Sequence, residues 1–248
     1  MKPLIVALDV ETDHQALSLV QKLKPHVDLF KVGPVLFLKY GGALLKEIRS
    51  LGADIFLDMK FHDIPSVVAK AVERAGEWGV YSATLHTAGG VEMMKEAARV
   101  PKRPLLWGVT VLTSLEHKDL LRMGVTRQVK DQVLHLAKLA MTSKLDGVIS
   151  SVEEARAIKK ACGRGFQVVT PGIRLAKATD DQKRVQTPRA AVNEGADFFV
   201  MGRPVIESPD PVKTVQEIYQ SLTSCRRKPA PSRLDPGFRR GDDERRSN

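Results

Sequence analysis

Eight times along this chain a short apolar run gives way to a polar residue or glycine and then to a helical pattern. That recurrence limits the possible folds more than any other feature. Leu4 to Leu8 ends at Asp9, and Asp28-Leu29-Phe30 ends at Lys31-Val32-Gly33. Ala53 to Leu57 ends at Asp58, and Ser82 to Leu85 at His86-Thr87. Leu105 to Val109 leads into Thr110 to Ser114, followed by a sixth run at Gly147-Val148-Ile149. Phe166 to Val169 leads into Thr170 to Arg174, and Asp197 to Met201 into Gly202-Arg203. Between the runs, 3.6-residue spacing predicts helices over 13–23, with Asp13 as cap, 34–51, 64–78 and 90–99. Further helices are expected over 126–142, 152–162, 188–194 and 209–222. Gly41-Gly42 weakens the second of these, and Thr187-Pro188 forms an N-cap and first-position pair.

Strands that are apolar throughout are those covered on both faces. Eight strand–helix alternations predict an α/β fold with a parallel sheet, and closing that sheet gives a single-domain TIM (β/α)8 barrel over residues 1–223. A chain of 248 residues suits one such barrel. In this architecture the C-terminal strand ends converge on one mouth, where the chemistry sits. Asp9, Lys31, Asp58, Lys60, His86, Thr113, Arg174 and Arg203 all stand at such ends.

No apolar run reaches the roughly 18 residues of a membrane span. Met1-Lys2-Pro3-Leu4 enters a strand-like run without a signal-peptide pattern. Cys162 and Cys225 lie far apart, which suits a reducing, cytoplasmic setting. The formal net charge is +10. Residues 224–248 hold eight Arg/Lys and four acids, a net +4, which leaves +6 for the rest of the chain and favours a phosphorylated substrate. That tail is broken by Pro229, Pro231, Pro236, Gly237 and Gly241 and has almost nothing apolar to bury. It reads as a disordered, solvated appendage, with no nucleic acid expected as partner.

The stretch Asp58-Met59-Lys60-Phe61-His62-Asp63-Ile64-Pro65 carries the densest chemistry. On a regular strand, residues two apart share a face, so Asp58 and Lys60 point the same way. Asp63 falls in the loop before a helix. Opposite charges on either side favour the charged ammonium of Lys60, and Lys31 can balance the second carboxylate. An alternating Lys–Asp–Lys–Asp array suits a reaction in which charge migrates within the substrate and a carbon is protonated. A lone D-x-K-x-x-D is equally what a solvated charge run looks like, and its place after a buried strand is what favours chemistry. Arg203 follows Gly202 after the eighth strand, and Gly172 and Arg174 follow the seventh, where barrels of this kind commonly bind phosphate. The loop from Ile173 to about Thr187 is long enough to be a lid. The six histidines show no metal-binding spacing, and His62 and His86 read as supporting or core groups.

With these residues placed, the sequence from Leu4 to Leu222 resembles the orotidine 5′-phosphate decarboxylase family. The resemblance rests on Ala7-Leu8-Asp9, Phe30-Lys31-Val32-Gly33, Asp58 to Pro65, Leu112-Thr113-Ser114, Thr170 to Arg174, Asp181-Gln182 and Gly202 to Ile206. D-x-K-x-x-D alone is shared with relatives acting on sugar phosphates, whereas F-H-D-I-P, T-P-G-I-R and G-R-P-V-I together narrow the match. The resemblance implies that Lys60 protonates C6 of the pyrimidine, that Asp58 lies against the departing carboxylate, and that Lys31 and Asp9 bind the ribose. It implies that Asp63 reaches the neighbouring subunit's site in a homodimer, with Ile64, Pro65 and Val67 among the substrate contacts. Thr113 and Ser114 are expected at the base, Gln182 between phosphate and base, Arg174, Gly202 and Arg203 at the phosphate, and Pro171 beside them. The family uses no metal or organic cofactor. Two departures stand out. Ser66-Val67 replaces the family's usual Asn-Thr, which removes a hydroxyl at 67, and the lid from Arg174 to Gln182 is short.

Overall fold

The computed structural model describes residues 1–175 and 186–223. Eight parallel strands close on themselves in sequence order, with β1 pairing both β2 and β8. The strands are β1 (Leu4–Ala7), β2 (Leu29–Val32), β3 (Asp54–Phe61), β4 (Ser82–His86), β5 (Leu105–Val109), β6 (Gly147–Ile149), β7 (Gln167–Thr170) and β8 (Phe198–Met201). The helices are α1 (Asp13–Leu23), α2 (Pro34–Ser50), α3 (Pro65–Glu77), α4 (Val91–Arg99), α5 (His117–Arg122), α6 (Val129–Thr142), α7 (Val152–Cys162), α8 (Pro188–Asn193), α9 (Arg203–Ile206) and α10 (Pro211–Thr223). The expected α/β barrel is therefore the observed one.

Local chemistry explains most boundaries and corrects several expectations. Thr12, not Asp13, caps α1, in a capping box in which the Gln15 side chain accepts the Thr12 N–H. The acid at 13 occupies the first turn instead, where it faces the positive end of the helix dipole. Thr187 caps α8 by accepting from the Ala190 N–H, with Pro188 in the first turn. Gly41 interrupts α2 with φ 58° and ψ −149°, a conformation open to glycine, and the helix resumes beyond it. Two short helices, α5 and α9, were not expected. They lie in the connections after β5 and β8, where a turn or so of helix leaves little periodicity to read.

Strand parity divides the core in two. Leu4, Val6 and Leu8 point outward into the layer between barrel and helices, while Ile5 and Ala7 point into the barrel. On β3, Ile55 and Leu57 face outward and Phe56 faces inward. The inward set, with Leu29, Trp107, Val169, Phe198 and Val200, packs the barrel's lower half. Trp107 is its centre, with Phe56 edge-on at 4.8 Å and Phe198 at 5.6 Å between ring centroids. Its indole N–H donates to Gln167 Oε1 at 2.8 Å, so the one polar atom of this buried ring is satisfied. The interior is thus filled below, and the cleft opens at the C-terminal ends of the strands.

Candidate active site

Continuing each inward column by two residues reaches the mouth. Ile5 and Ala7 lead to Asp9, Leu29 to Lys31, Phe56 to Asp58, Val169 to Pro171, and Phe198 and Val200 to Gly202. Their side chains and backbone line a cleft of about 930 Å3 whose floor is Phe56. That volume suits a ligand of nucleotide size. The same parity that packs the apolar interior therefore delivers charge to the rim.

Two ion pairs stand in the cleft. Lys31 Nζ donates to Asp9 Oδ1 at 2.9 Å, across the neighbouring strands β1 and β2. Lys60 Nζ donates to Asp58 Oδ2 at 2.8 Å within β3. Lys60 does not reach this position along a regular strand, as the i, i+2 spacing suggested. Leu57 pairs with Ala83, yet Phe61 pairs with Leu85, so Asp58, Met59 and Lys60 together oppose Thr84 alone. Such an insertion is a β-bulge, and it re-aims the side chain it carries. Lys60 has φ 50°, a left-handed conformation uncommon for a residue with a Cβ.

Across the closed barrel from β3 lies β7, and beside it β8. Here Pro171, Gly172, Arg174, Gly202 and Arg203 line the same cleft. Gly172 has φ 74°, which turns the chain sharply after β7. The Arg174 N–H donates to the Gln186 carbonyl at 3.0 Å, bringing together the two described ends of the long β7 loop. Neither Arg174 nor Arg203 has an ion-pair partner among the described residues. Both guanidinium groups are exposed at the rim, where a phosphate could take bidentate hydrogen bonds.

Of the residues singled out in the sequence, Asp9, Lys31, Asp58, Lys60, Thr113, Pro171, Arg174, Gly202 and Arg203 come together around the cleft. Ser114, Asp63, Ile64, Pro65 and Val67 do not line it. Asp63 is exposed and accepts the Ile64 N–H at 2.6 Å, and no ion pair joins it to Lys60 among the described residues. Gln182 and the tail 224–248 lie outside the described residues. Sequence reasoning missed Ser150 and Glu207, which also line the cleft. It missed Thr84 as well, whose hydroxyl bonds both Asp58 and the Lys60 backbone. The described residues contain no group of three or more His, Cys, Asp or Glu placed to hold a metal ion. None of their helices is long and apolar enough to cross a membrane.

A profile of the Orotidine 5'-phosphate decarboxylase / HUMPS family matches residues 2–218. The chain belongs to this family. Orotidine 5'-phosphate decarboxylase from Pseudoalteromonas translucida is 43% identical over 227 residues, covering 89% of this chain and 97% of the relative. The enzyme of the same name from Wolbachia pipientis is 43% identical over 225 residues, covering 90% of this chain and all of the relative. Among solved structures, orotidine 5'-phosphate decarboxylase from Lactobacillus acidophilus superposes with a TM-score of 0.79 at 35% identity. That match covers 90% of this chain and 100% of the other.

Beside the cleft of this family member, His62 and His86 stack at 5.5 Å with planes 30° apart. Burial, then the neighbouring His62, then Lys60, holds the His86 imidazole below the ordinary histidine value of 6.5. A base with a depressed folded-state value resists a proton that the unfolded chain accepts. Stability from this source is therefore complete above 6.5 and falls as the pH drops below it. The thermal midpoint should decline on acidification through that range, and less steeply in His86→Asn. Parallel midpoint–pH curves for the two proteins would exclude His86 as the source.

Proposed function

We propose that this protein decarboxylates orotidine 5′-phosphate to UMP, a step of pyrimidine biosynthesis, without a cofactor. The observation that carries this reading is the Lys60–Asp58 ion pair, at 2.8 Å on one wall of the cleft, with Arg174 and Arg203 free for an anion on the wall opposite. The names of the relatives support the same substrate.

The chemistry follows from the charges. The bond from C6 to the carboxylate breaks heterolytically, CO2 leaves, and the electron pair stays on C6 in an sp2 orbital orthogonal to the ring π system. No ring resonance delocalises that pair, so fixed charge must lower the barrier, by an amount on the order of 20 kcal/mol in demanding cases. Lys60 gives its proton to C6 as the pair develops and regains one from solvent. Asp58 sits against the substrate carboxylate and repels it, a repulsion relieved when CO2 departs. Asp9 and Lys31 hold the ribose, and Thr113 meets the base. Arg174, Gly202 and Arg203 anchor the phosphate beside Pro171. Binding energy from the phosphate then assembles the site around a distant reacting carbon.

The site is completed by a second copy of the chain. Asp63 lies outside its own cleft, and beside it Ile64 is 62% exposed. Val67 follows in the first turn of α3, and Leu38 on the neighbouring α2 is 81% exposed. Exposed apolar side chains at Ile64 and Val67, next to the exposed carboxylate of Asp63, suit a homodimer interface that sends Asp63 into the partner's cleft. Val67, lacking the usual hydroxyl, contributes contact area there and no hydrogen bond. Residues 1–223 form the catalytic unit, and 224–248 are an appendage to it.

Ultraviolet monitoring of orotidine 5′-phosphate with purified protein and a chelator tests the activity directly. Wild type should turn over, and Lys60→Ala should lose about a thousandfold or more in kcat with an unchanged circular dichroism spectrum. Activity of Lys60→Ala within about tenfold of wild type would remove Lys60 as proton donor. Refolding Lys60→Ala together with Asp63→Ala tests the shared site. Random mixing makes about half the dimers hybrid, each with one intact site, so roughly a quarter of wild-type activity should return. A mixture as inactive as its parents, with hybrid dimers seen by mass, would place Asp63 in its own chain's site. Truncation after Thr223 should leave turnover and thermal midpoint unchanged, and a midpoint lower by several degrees would mean that the tail packs on the barrel.

A further inference from the structure

We propose that Thr84 is a positioning residue for the Asp58–Lys60 pair, setting the bulge that aims the ammonium and the orientation of the carboxylate beside it. The inference rests on the decarboxylase reading above for its catalytic consequence. Its structural basis is independent of that reading.

Thr84 is fully buried and does not line the cleft. Its neighbours Ala83 and Leu85 face outward, so its side chain faces into the barrel, beneath β3. Its hydroxyl accepts the Lys60 backbone N–H at 2.9 Å and donates to Asp58 Oδ1 at 2.9 Å. Asp58 Oδ2 in turn accepts from Lys60 Nζ at 2.8 Å. The four groups form a closed ring of hydrogen bonds from the Lys60 backbone to the Lys60 side chain.

Each bond in this ring answers a need created by the bulge. Three residues opposed by one break the regular ladder between β3 and β4, and the Lys60 N–H needs a partner. Lys60 also sits at φ 50°, a conformation that persists only where the surroundings over-determine it. The hydroxyl supplies the acceptor. Because its single proton is then free for Asp58 Oδ1, it fixes that carboxylate so that Oδ2 faces the ammonium. A hydroxyl can do both at once, and no apolar side chain of similar volume can do either.

The test compares Thr84→Val with Thr84→Ser, and adds Thr84→Ala as a second hydroxyl-free variant that cannot clash. Without the hydroxyl, kcat should fall by about ten- to a hundredfold, the scale expected when a catalytic group is misplaced by a fraction of an ångström to an ångström. KM should change by less than about threefold, since the anchoring residues on β7 and β8 are untouched. Thr84→Ser should recover kcat to within about threefold of wild type. Hydrogen exchange at the Lys60 amide should quicken in the Val and Ala variants and stay slow in the Ser variant. Turnover and exchange in the Val or Ala variants equal to those of Thr84→Ser would overturn the proposal, as would a loss of kcat that serine fails to restore. Wild-type protein without turnover, but with the expected order of exchange rates, would sink the decarboxylase reading and leave the hold of Thr84 on the bulge standing.

Discussion

The structure depends on barrel closure. A parallel strand has two faces, and closing eight strands commits one face of every strand to a shared interior. From then on the position of each side chain is a matter of odd and even. Ile5 and Ala7 fill the interior, and Asp9, next in the column, emerges at the rim. Leu29 and Lys31 repeat the arrangement on β2, and Phe56 and Asp58 on β3. The apolar ring cluster around Trp107 does more than stabilise the fold. It fills the barrel below the cleft, so that the ion pairs stand above an apolar floor at Phe56.

Against that regular background, the bulge at Asp58-Met59-Lys60 is costly. A residue with a Cβ in the left-handed region costs about 1–3 kcal/mol, and the interrupted ladder removes backbone partners. Hydrogen bonds to Thr84 offset part of this, at about 1 kcal/mol net for each neutral bond and more where a carboxylate accepts. A fold optimised only for stability would keep the strand straight. The strain is found where the lysine of the cleft is aimed, which is the pattern expected when local geometry serves chemistry at the expense of regularity.

How much of this was legible in the sequence follows from the same physics. The eight strands were readable because each is a short apolar run stopped by a polar residue or glycine, and all but β3, which runs on to Phe61, end within two residues of the expected positions. Helix α8 was readable from Thr187-Pro188, since a cap and a first-position proline are local signals. The α1 cap was misassigned because Thr12 and Asp13 are both good caps, and the Gln15 that selects Thr12 acts through its side chain. Asp58 and Lys60 were expected on one face of a straight strand. They are together, but through a register shift with β4, and register between distant strands leaves no mark in either strand alone. Thr84 was passed over as an ordinary strand residue. The signal available was the alternation Ser82, Thr84, His86, three polar side chains on the inward face of a buried strand, where apolar ones would be the rule.

The distribution of charge gives the site its asymmetry. Among the described residues, the β1–β3 wall holds two carboxylates and two ammonium groups, each acid paired with one base. The β7–β8 wall holds two arginines without an ion-pair partner there and one carboxylate, Glu207, for a net positive charge. An anionic ligand therefore meets attraction on one wall and a balanced array on the other. On the proposed reading, a substrate with a phosphate at one end and a carboxylate at the other can enter in one orientation only. Its phosphate satisfies the arginines, and its carboxylate is delivered to a wall that has no spare cation for it. On the same reading, that negative charge stands beside Asp58, whose side chain is only 13% exposed, and is screened less there than in bulk water. Binding at the arginines holds it there, and expulsion of CO2 is the one change that removes the repulsion while leaving the ammonium of Lys60 beside the carbon that needs a proton.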